Sequence, residues 1–149
     1  MTIRLSTMLR NKMLDGGATG GIKAGLNLGF INIYSGPQPL AADTGATGTL
    51  LGTVSVEAAG TGLTFDAAVA GVIAKAALET WKFNGAAIGT AGWFRFYEPT
   101  DTPSATQSTK ARLDGSIAVS GADMNLSNIS ITVGAPSTID VFQFTLPAA

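Results

Sequence analysis

Leu5, Met8, Leu9 and Met13 recur at i, i+3, i+4 spacing in an otherwise polar opening segment, with Lys12 on the same stripe. That period predicts a short helix, with Ser6 or Thr7 as its N-cap and Gly16-Gly17 as its stop. A helix of about nine residues is not stable alone in water, so it must dock on its own sheet or on a neighbouring subunit. Gly16 to Gly29 carries five glycines before Leu26 and reads as a flexible arm.

From Phe30 onward the period changes to that of strands. Phe30 to Tyr34 is a strand that stops at Ser35-Gly36-Pro37-Gln38-Pro39, and Ala41 to Gly48 is a small-residue loop. Leu50 to Glu57 alternates with one slip, which predicts a bulge at Gly52. Leu63 to Asp66 and Val72 to Ala76 are short strands. Alanine propensity makes a helix over Ala67 to Leu78 the alternative there, but Gly71 and the β-branched pair Val72-Ile73 argue against it.

Thr80 to Phe83 and Ile88 to Tyr97 flank Asn84-Gly85, which predicts a hairpin. In the second of these strands, alternation puts Phe94 and Phe96 on one face and Trp93, Arg95 and Tyr97 on the other. Glu98 to Ser108 is polar, holds Pro99 and Pro103, and reads as a loop. Lys110 to Leu113 and Ser116 to Val119 flank Asp114-Gly115, a second hairpin signal. Met124 to Leu126, Ile129 to Val133 and Ile139 to Leu146 complete the set. Nine or ten short strands with no helix-length pattern between them predict an all-β fold. The expected architecture is a single β-sandwich, for which a jelly roll is one topology, with a short N-terminal helix. Residues 1–29 form the helix and glycine-rich arm, and residues 30–149 form the sandwich domain.

Composition removes most chemistry. The chain contains no histidine and no cysteine, so a Ser-His-Asp or Cys-His arrangement is impossible and most of the ordinary ligands for zinc, iron or copper are missing. The glycine clusters match neither the P-loop nor the dinucleotide-binding pattern. The carboxylates are scattered, several beside Gly or Pro where Asp favours turns, so a glycosidase pair is not expected. A calcium site near Asp114 and Asp123 lacks the loop spacing such sites use, and turn capping is the expected role. No catalytic residue, cofactor or metal is expected, and the chain reads as a non-enzyme.

Charge narrows the partners. Charged residues make up 13% of the chain, about half the usual ~25%. The net charge of −1 gives no basic footprint for nucleic acid. The longest apolar run, Ala67 to Ala74, is too short to span a bilayer. The opening segment lacks the continuous apolar stretch of a secretory leader. Asn125-Leu126-Ser127 and Asn128-Ile129-Ser130 fit the glycosylation pattern, and without a leader both are expected to be chance matches.

Interface chemistry has two candidates. One is the helix, through Leu5, Met8, Leu9 and Met13. The other is the stripe Trp93, Arg95 and Tyr97, residue types enriched at protein interfaces and able to stack on sugars. The same stripe could instead be the second packed face of a central strand, with Arg95 in an ion pair.

Several segments together resemble a known family. They are Ile3-Arg4-Leu5-Ser6-Thr7 with Leu9-Arg10-Asn11, Ile33-Tyr34-Ser35-Gly36 with Gln38-Pro39, Thr47-Gly48-Thr49-Leu50-Leu51, and Gly62-Leu63-Thr64-Phe65-Asp66. Gly71-Val72-Ile73, Thr90-Ala91-Gly92-Trp93-Phe94-Arg95, Asp114-Gly115-Ser116, Gly121-Ala122-Asp123 and the ending Ile139-Asp140 to Thr145-Leu146-Pro147 extend the likeness nearly end to end. The chain resembles a family of small structural proteins of tailed bacteriophages, with a shorter loop after Val56. The resemblance implies a virion component, a decoration, neck or tail protein. It would be assembled in the host cytoplasm, released by lysis, and partnered by other virion proteins and by copies of itself. A tail-associated host-surface or carbohydrate-binding module is the alternative. The resemblance supplies no catalytic residues.

Overall fold

The structure, a computed structural model, describes residues 3–148. The first helix, α1 (Thr7–Asp15), starts where a hydroxyl can satisfy its free N–H groups. Ser6 is that cap: its Oγ accepts from the Leu9 N–H at 3.2 Å. Gly16, at φ 66°, ends the helix, and its N–H donates to the Lys12 carbonyl. Leu9 is fully buried, so the helix docks on its own domain.

The glycine-rich stretch expected as a flexible arm contains a second helix, α2 (Gly21–Leu26). Ile22 and Leu26, one turn apart, are both buried and join Leu9 in the same apolar cluster as the strands. Gly25 lies beneath α1, where a Cβ would come within 2.9 Å of Leu9 Cδ1. The glycines that weaken α2 therefore also permit the close packing that holds it. Leu9, Ile22 and Leu26, from this N-terminal segment, share one core with the sandwich strands.

Eleven strands follow the chain: β1 (Arg4–Leu5), β2 (Phe30–Ser35), β3 (Leu50–Val56), β4 (Val72–Ala74), β5 (Trp81–Asn84), β6 (Gly89–Tyr97), β7 (Arg112–Ala118), β8 (Met124–Asn125), β9 (Ser130–Ile131), β10 (Pro136–Ile139) and β11 (Gln143–Thr145). The main sheet runs β1-β7-β6-β2-β3-β5-β10, and β4 and β11 form a separate ribbon. All pairings are antiparallel except β7 with β8. The fold is all-β. The large antiparallel sheet, the small second sheet and the two short helices are consistent with the expected β-sandwich.

The sheet rolls to make its core. β5 and β6 are separated by β2 and β3, yet the rings of Trp81 and Phe96 meet edge-on with centroids 5.8 Å apart. Phe65 and Phe142 fill the space between the two halves, at 5.3 Å and 5.9 Å from Phe96. Burying each such side chain contributes about 1.5–3 kcal/mol. The bend falls in β3, which pairs with β2 up to Val54 and with β5 at Ser55 and Val56. The expected bulge in this strand sits one residue from Gly52: Leu51 is the extra residue between the pairs Ile33↔Gly52 and Tyr34↔Leu50.

Neither predicted hairpin forms. β5 pairs with β3 and β10 and not with β6, so Asn84-Gly85 is a crossover between sheet halves. Gly85 is fixed instead by the 132–135 turn, donating to Ala135 and accepting from Gly134. Asp114-Gly115 lies in the middle of β7, a single strand. Asp114 stands opposite Arg95 there, and Gly115 faces Phe94, whose ring would lie 2.7 Å from any Cβ. Opposite charge and a neighbouring ring select this pair, rather than turn geometry.

Candidate functional site

The face of β6 that carries Trp93, Arg95 and Tyr97 points away from the apolar core, and the loops 36–49 and 98–111 fold over it. Trp93 and Arg95 are both fully buried. Arg95 makes a fork with Asp114, Nε to Oδ1 at 2.8 Å and Nη2 to Oδ2 at 2.7 Å, and its Nη1 donates to the Pro103 carbonyl at 2.8 Å. Its guanidinium carbon lies 5.5 Å from the Trp93 ring centroid, and Trp93 stacks on Tyr34 at 4.5 Å. Arg95 is thus in an ion pair on a second packed face.

Two strand residues along, Arg112 repeats the device. It forks to Asp101, with Nε to Oδ2 at 2.7 Å and Nη2 to Oδ1 at 2.8 Å. Nη2 also donates to Ala105 O at 2.9 Å, and Nη1 donates to Ala42 O at 3.2 Å. One guanidinium therefore gathers both covering loops against the sheet, using the five fixed donors that only arginine offers. Asp43 ties the 36–49 loop to α1 by accepting from the Thr7 N–H at 2.9 Å and Oγ1 at 2.6 Å. Arg4 Nη1 donates to the Pro39 carbonyl. Glu98 accepts from the Ala111 N–H at 2.9 Å and from Lys110 Nζ at 3.1 Å.

The electrostatics follow from enclosure. Burial pushes the Asp114 carboxyl above the ordinary carboxylate value, while the Arg95 fork pulls against it. Burial raises the Tyr97 hydroxyl to about 12, with the charges of Tyr34 and Asp101 adding to the effect. Burial also works to raise Glu98, but the Ala111 N–H, Thr100 and Lys110 outweigh it and hold the carboxyl below its ordinary value. Trp93 Nε1 is buried with no acceptor among the described residues. Both guanidinium groups are engaged by carboxylates and carbonyls, so this layer fastens the loops to the sheet.

Of the seven predicted interface residues, Leu9, Trp93 and Arg95 are enclosed and cannot touch a partner. The reason is covering structure of the chain's own: α2 over Leu9, and the two loops over the strand. Leu5, Met8, Met13 and Tyr97 are half-buried. Asp114 is committed to Arg95, and Asp123 caps a turn by accepting from the Ser116 N–H and Oγ. Among the described residues no group of three His, Cys, Asp or Glu side chains could hold a metal ion. No described helix is long and apolar enough to cross a membrane.

Met13 lines the feature that the sequence did not signal. Between α1, α2 and the β4–β11 ribbon lies an apolar notch of about 320 Å³, walled by Met13, Ile22, Ile73, Phe144 and Leu146. Lys23 stands exposed at its rim and makes no ion pair among the described residues. These side chains come from both ends and the middle of the chain, so no local pattern could have grouped them.

No family model, curated protein or solved structure matches this chain.

Proposed function

We propose that the chain is a non-enzymatic structural protein of a tailed-phage virion, a capsid decoration or head–neck component. It stabilises the particle by contacts with capsid, neck or tail proteins and with copies of itself. The surface carries this reading. Leu14, Leu40 and Leu78 are each at least 85% exposed, on a chain with only 13% charged residues. A surface with so little charge has weak colloidal repulsion, which suits a protein that its neighbours cover. Binding to the assembled particle then stabilises the assembled state by mass action.

The likeness to phage structural proteins over nearly the whole sequence supports the same reading. A carbohydrate-binding role would use an aromatic platform; Trp93, the ring best suited to it, lies under the covering loops. The test is the copy number in purified virions, by quantitative mass spectrometry against the major capsid protein. Copies in the hundreds support a lattice-bound decoration protein. A few dozen or fewer support a neck, tail or fibre position. None at all overturns the reading.

A further inference from the structure

The rolled sheet is open along one seam. Two successive stretches border it: 124–131, which holds β8 and β9, and 136–145, which holds β10 and β11. The 132–135 turn joins them, yet no strand of one pairs with a strand of the other. A trough lies between them. Ser127 and Ser130 line about 490 Å³ of it together with Pro136 and Thr138 from the other wall. Asp123 and Asn125 line about 620 Å³ more with Gln143 and Thr145, and Ser127 borders both parts.

The phase of each ladder fixes which backbone groups the walls present, because alternate residues of a strand turn their N–H and C=O to opposite sides. In β10, Ser137 and Ile139 face β5, in step with the Gly85 N–H donating to Ala135 O at 3.0 Å, so Thr138 faces outward. In β11, Phe144 faces β4. It is in step with the Lys75 N–H on Phe142 O and the Leu146 N–H on Gly71 O, both at 2.9 Å, so Gln143 and Thr145 face outward. On the other wall, the Leu126 N–H donates to Ala118 O at 3.0 Å, which turns the N–H and C=O of Asn125 away from β7. The Ala91 N–H donates to Ile129 O at 2.8 Å, which turns the Ser130 carbonyl away from β6. None of these outward groups has a hydrogen-bond partner among the described residues.

We propose that the trough takes one extended strand of a partner protein, hydrogen-bonded to both walls, which closes the roll. Gln143 and Thr145 present their N–H and C=O at a two-residue interval, about 6.7 Å. An extended peptide repeats its own donors and acceptors at that interval along both edges; a sugar or a free ion does not. Main-chain hydrogen bonds supply the affinity, as in other strand additions to open sheet edges. Charge sets the partner's ends. Asp123 and Asp140 line one end of the trough and Lys82 the other, and none of the three is in an ion pair among the described residues. The partner strand therefore carries a cation towards the first end and an anion towards the second. Every described strand of this chain already pairs within it, and Arg112 fastens the covering loops, so a different protein supplies the strand. The inference deepens the assembly role proposed above and rests on that reading for the partner being a virion protein.

The probes are two short peptides of alternating threonine and valine, added at millimolar concentration to the purified full chain. One begins with lysine and ends with glutamate; the other has the reverse order. One of them should bind in preference and slow hydrogen exchange at Asn125, Thr138, Gln143 and Thr145 together. The same peptide N-methylated along its length keeps its side chains but loses its backbone donors, and it should not bind. Thr138→Pro and Thr145→Pro each delete one outward N–H and leave the ladders to β5 and β4 intact. Each should weaken the peptide about two- to tenfold, the worth of one hydrogen bond, with the unfolding midpoint unchanged. No binding by either peptide, or protection confined to one wall, overturns the strand site. Equal binding of both orders overturns the charge assignment. Oligomers of the purified chain that the peptide dissolves would give the trough to a second copy and overturn the partner. Absence from virions overturns the structural role and leaves the strand site standing; failure of both peptides, for a chain found in virions, does the reverse.

Discussion

Arg95 and Asp114 face each other across β6 and β7, joined by two hydrogen bonds of 2.8 and 2.7 Å with neither side chain reaching water. The pair is costly to bury and costlier to break. Removing one partner of a buried pair destabilises by about 3–5 kcal/mol, whereas replacing both with apolar groups is often neutral. Asp114→Leu should therefore approach that loss. Arg95→Met with Asp114→Leu should recover most of it, short of the single hydrogen bond to Pro103. Denaturant unfolding of the four forms of the cycle checks this; additive losses would mean the two charges are not coupled.

The acid limb of stability separates Glu98 from Asp114. Glu98 is held below its ordinary value of 4.5. Its contribution is therefore present above pH 4.5 and lost as pH falls through its folded value. Asp114 is held above its ordinary 3.8, so protonating it favours the folded form and the sign reverses. Glu98→Gln should lower the denaturant midpoint at neutral pH and converge with the native chain in acid. Parallel curves from neutral to acid pH would remove Glu98 from the account.

The two tyrosines of the chain offer an alkaline readout. Burial raises Tyr97 to about 12 and raises Tyr34 as well. Tyrosinate absorbance should stay low through pH 10 in the folded protein and appear at that pH only after unfolding. Because the folded value lies above the unfolded one, the stabilisation is present below pH 10 and lost as pH rises towards 12. Ionisation of either ring at pH 10 with the fold intact would show the covering loops to be open.

Local pattern carried the reading only as far as neighbours in sequence decide the structure. Ser6 as cap, the alternation of Phe94 and Phe96 against Trp93 and Arg95, and an ion pair for Arg95 all follow from period and residue type. Asp114-Gly115 misleads because turn chemistry and strand chemistry share those two residues; only the Arg95 fork and the Phe94 ring decide between them. Arg112 gives no local signal of its role, since its partners, the Asp101 carboxylate and carbonyls of both covering loops, are brought to it only by folding. α2 hides because its glycines reduce propensity, and the packing that offsets them involves Leu9 on another helix. The notch draws on residues 13, 22, 73 and 144, a grouping that exists only after folding.

Gly115 tests the strand assignment directly. A Cβ there would meet the Phe94 ring at 2.7 Å and Asp123 Cβ at 2.9 Å. Overpacking of a closed core costs about 1–3 kcal/mol. Gly115→Ala should lose stability in that range, although alanine is ordinarily the better strand residue in entropy. A neutral or stabilised variant would place Gly115 in a turn after all.

Ser6 joins three elements with one hydroxyl, which sets it apart from an ordinary helix cap. Its Oγ accepts from the Leu9 N–H at 3.2 Å and from the Arg112 N–H at 2.9 Å, and donates to Lys110 O at 2.8 Å. Loss of a cap alone costs about 0.5–2 kcal/mol. Here the Arg112 N–H would also be left buried and unpaired, which adds about 1–3 kcal/mol. Ser6→Ala should therefore destabilise the whole domain beyond the cap value, while Ser6→Thr, which keeps the oxygen, should lose less. Hydrogen exchange separates the roles. In Ser6→Ala the Arg112 amide, in β7, should lose protection together with Leu9. Faster exchange confined to α1 would reduce Ser6 to a cap and nothing more.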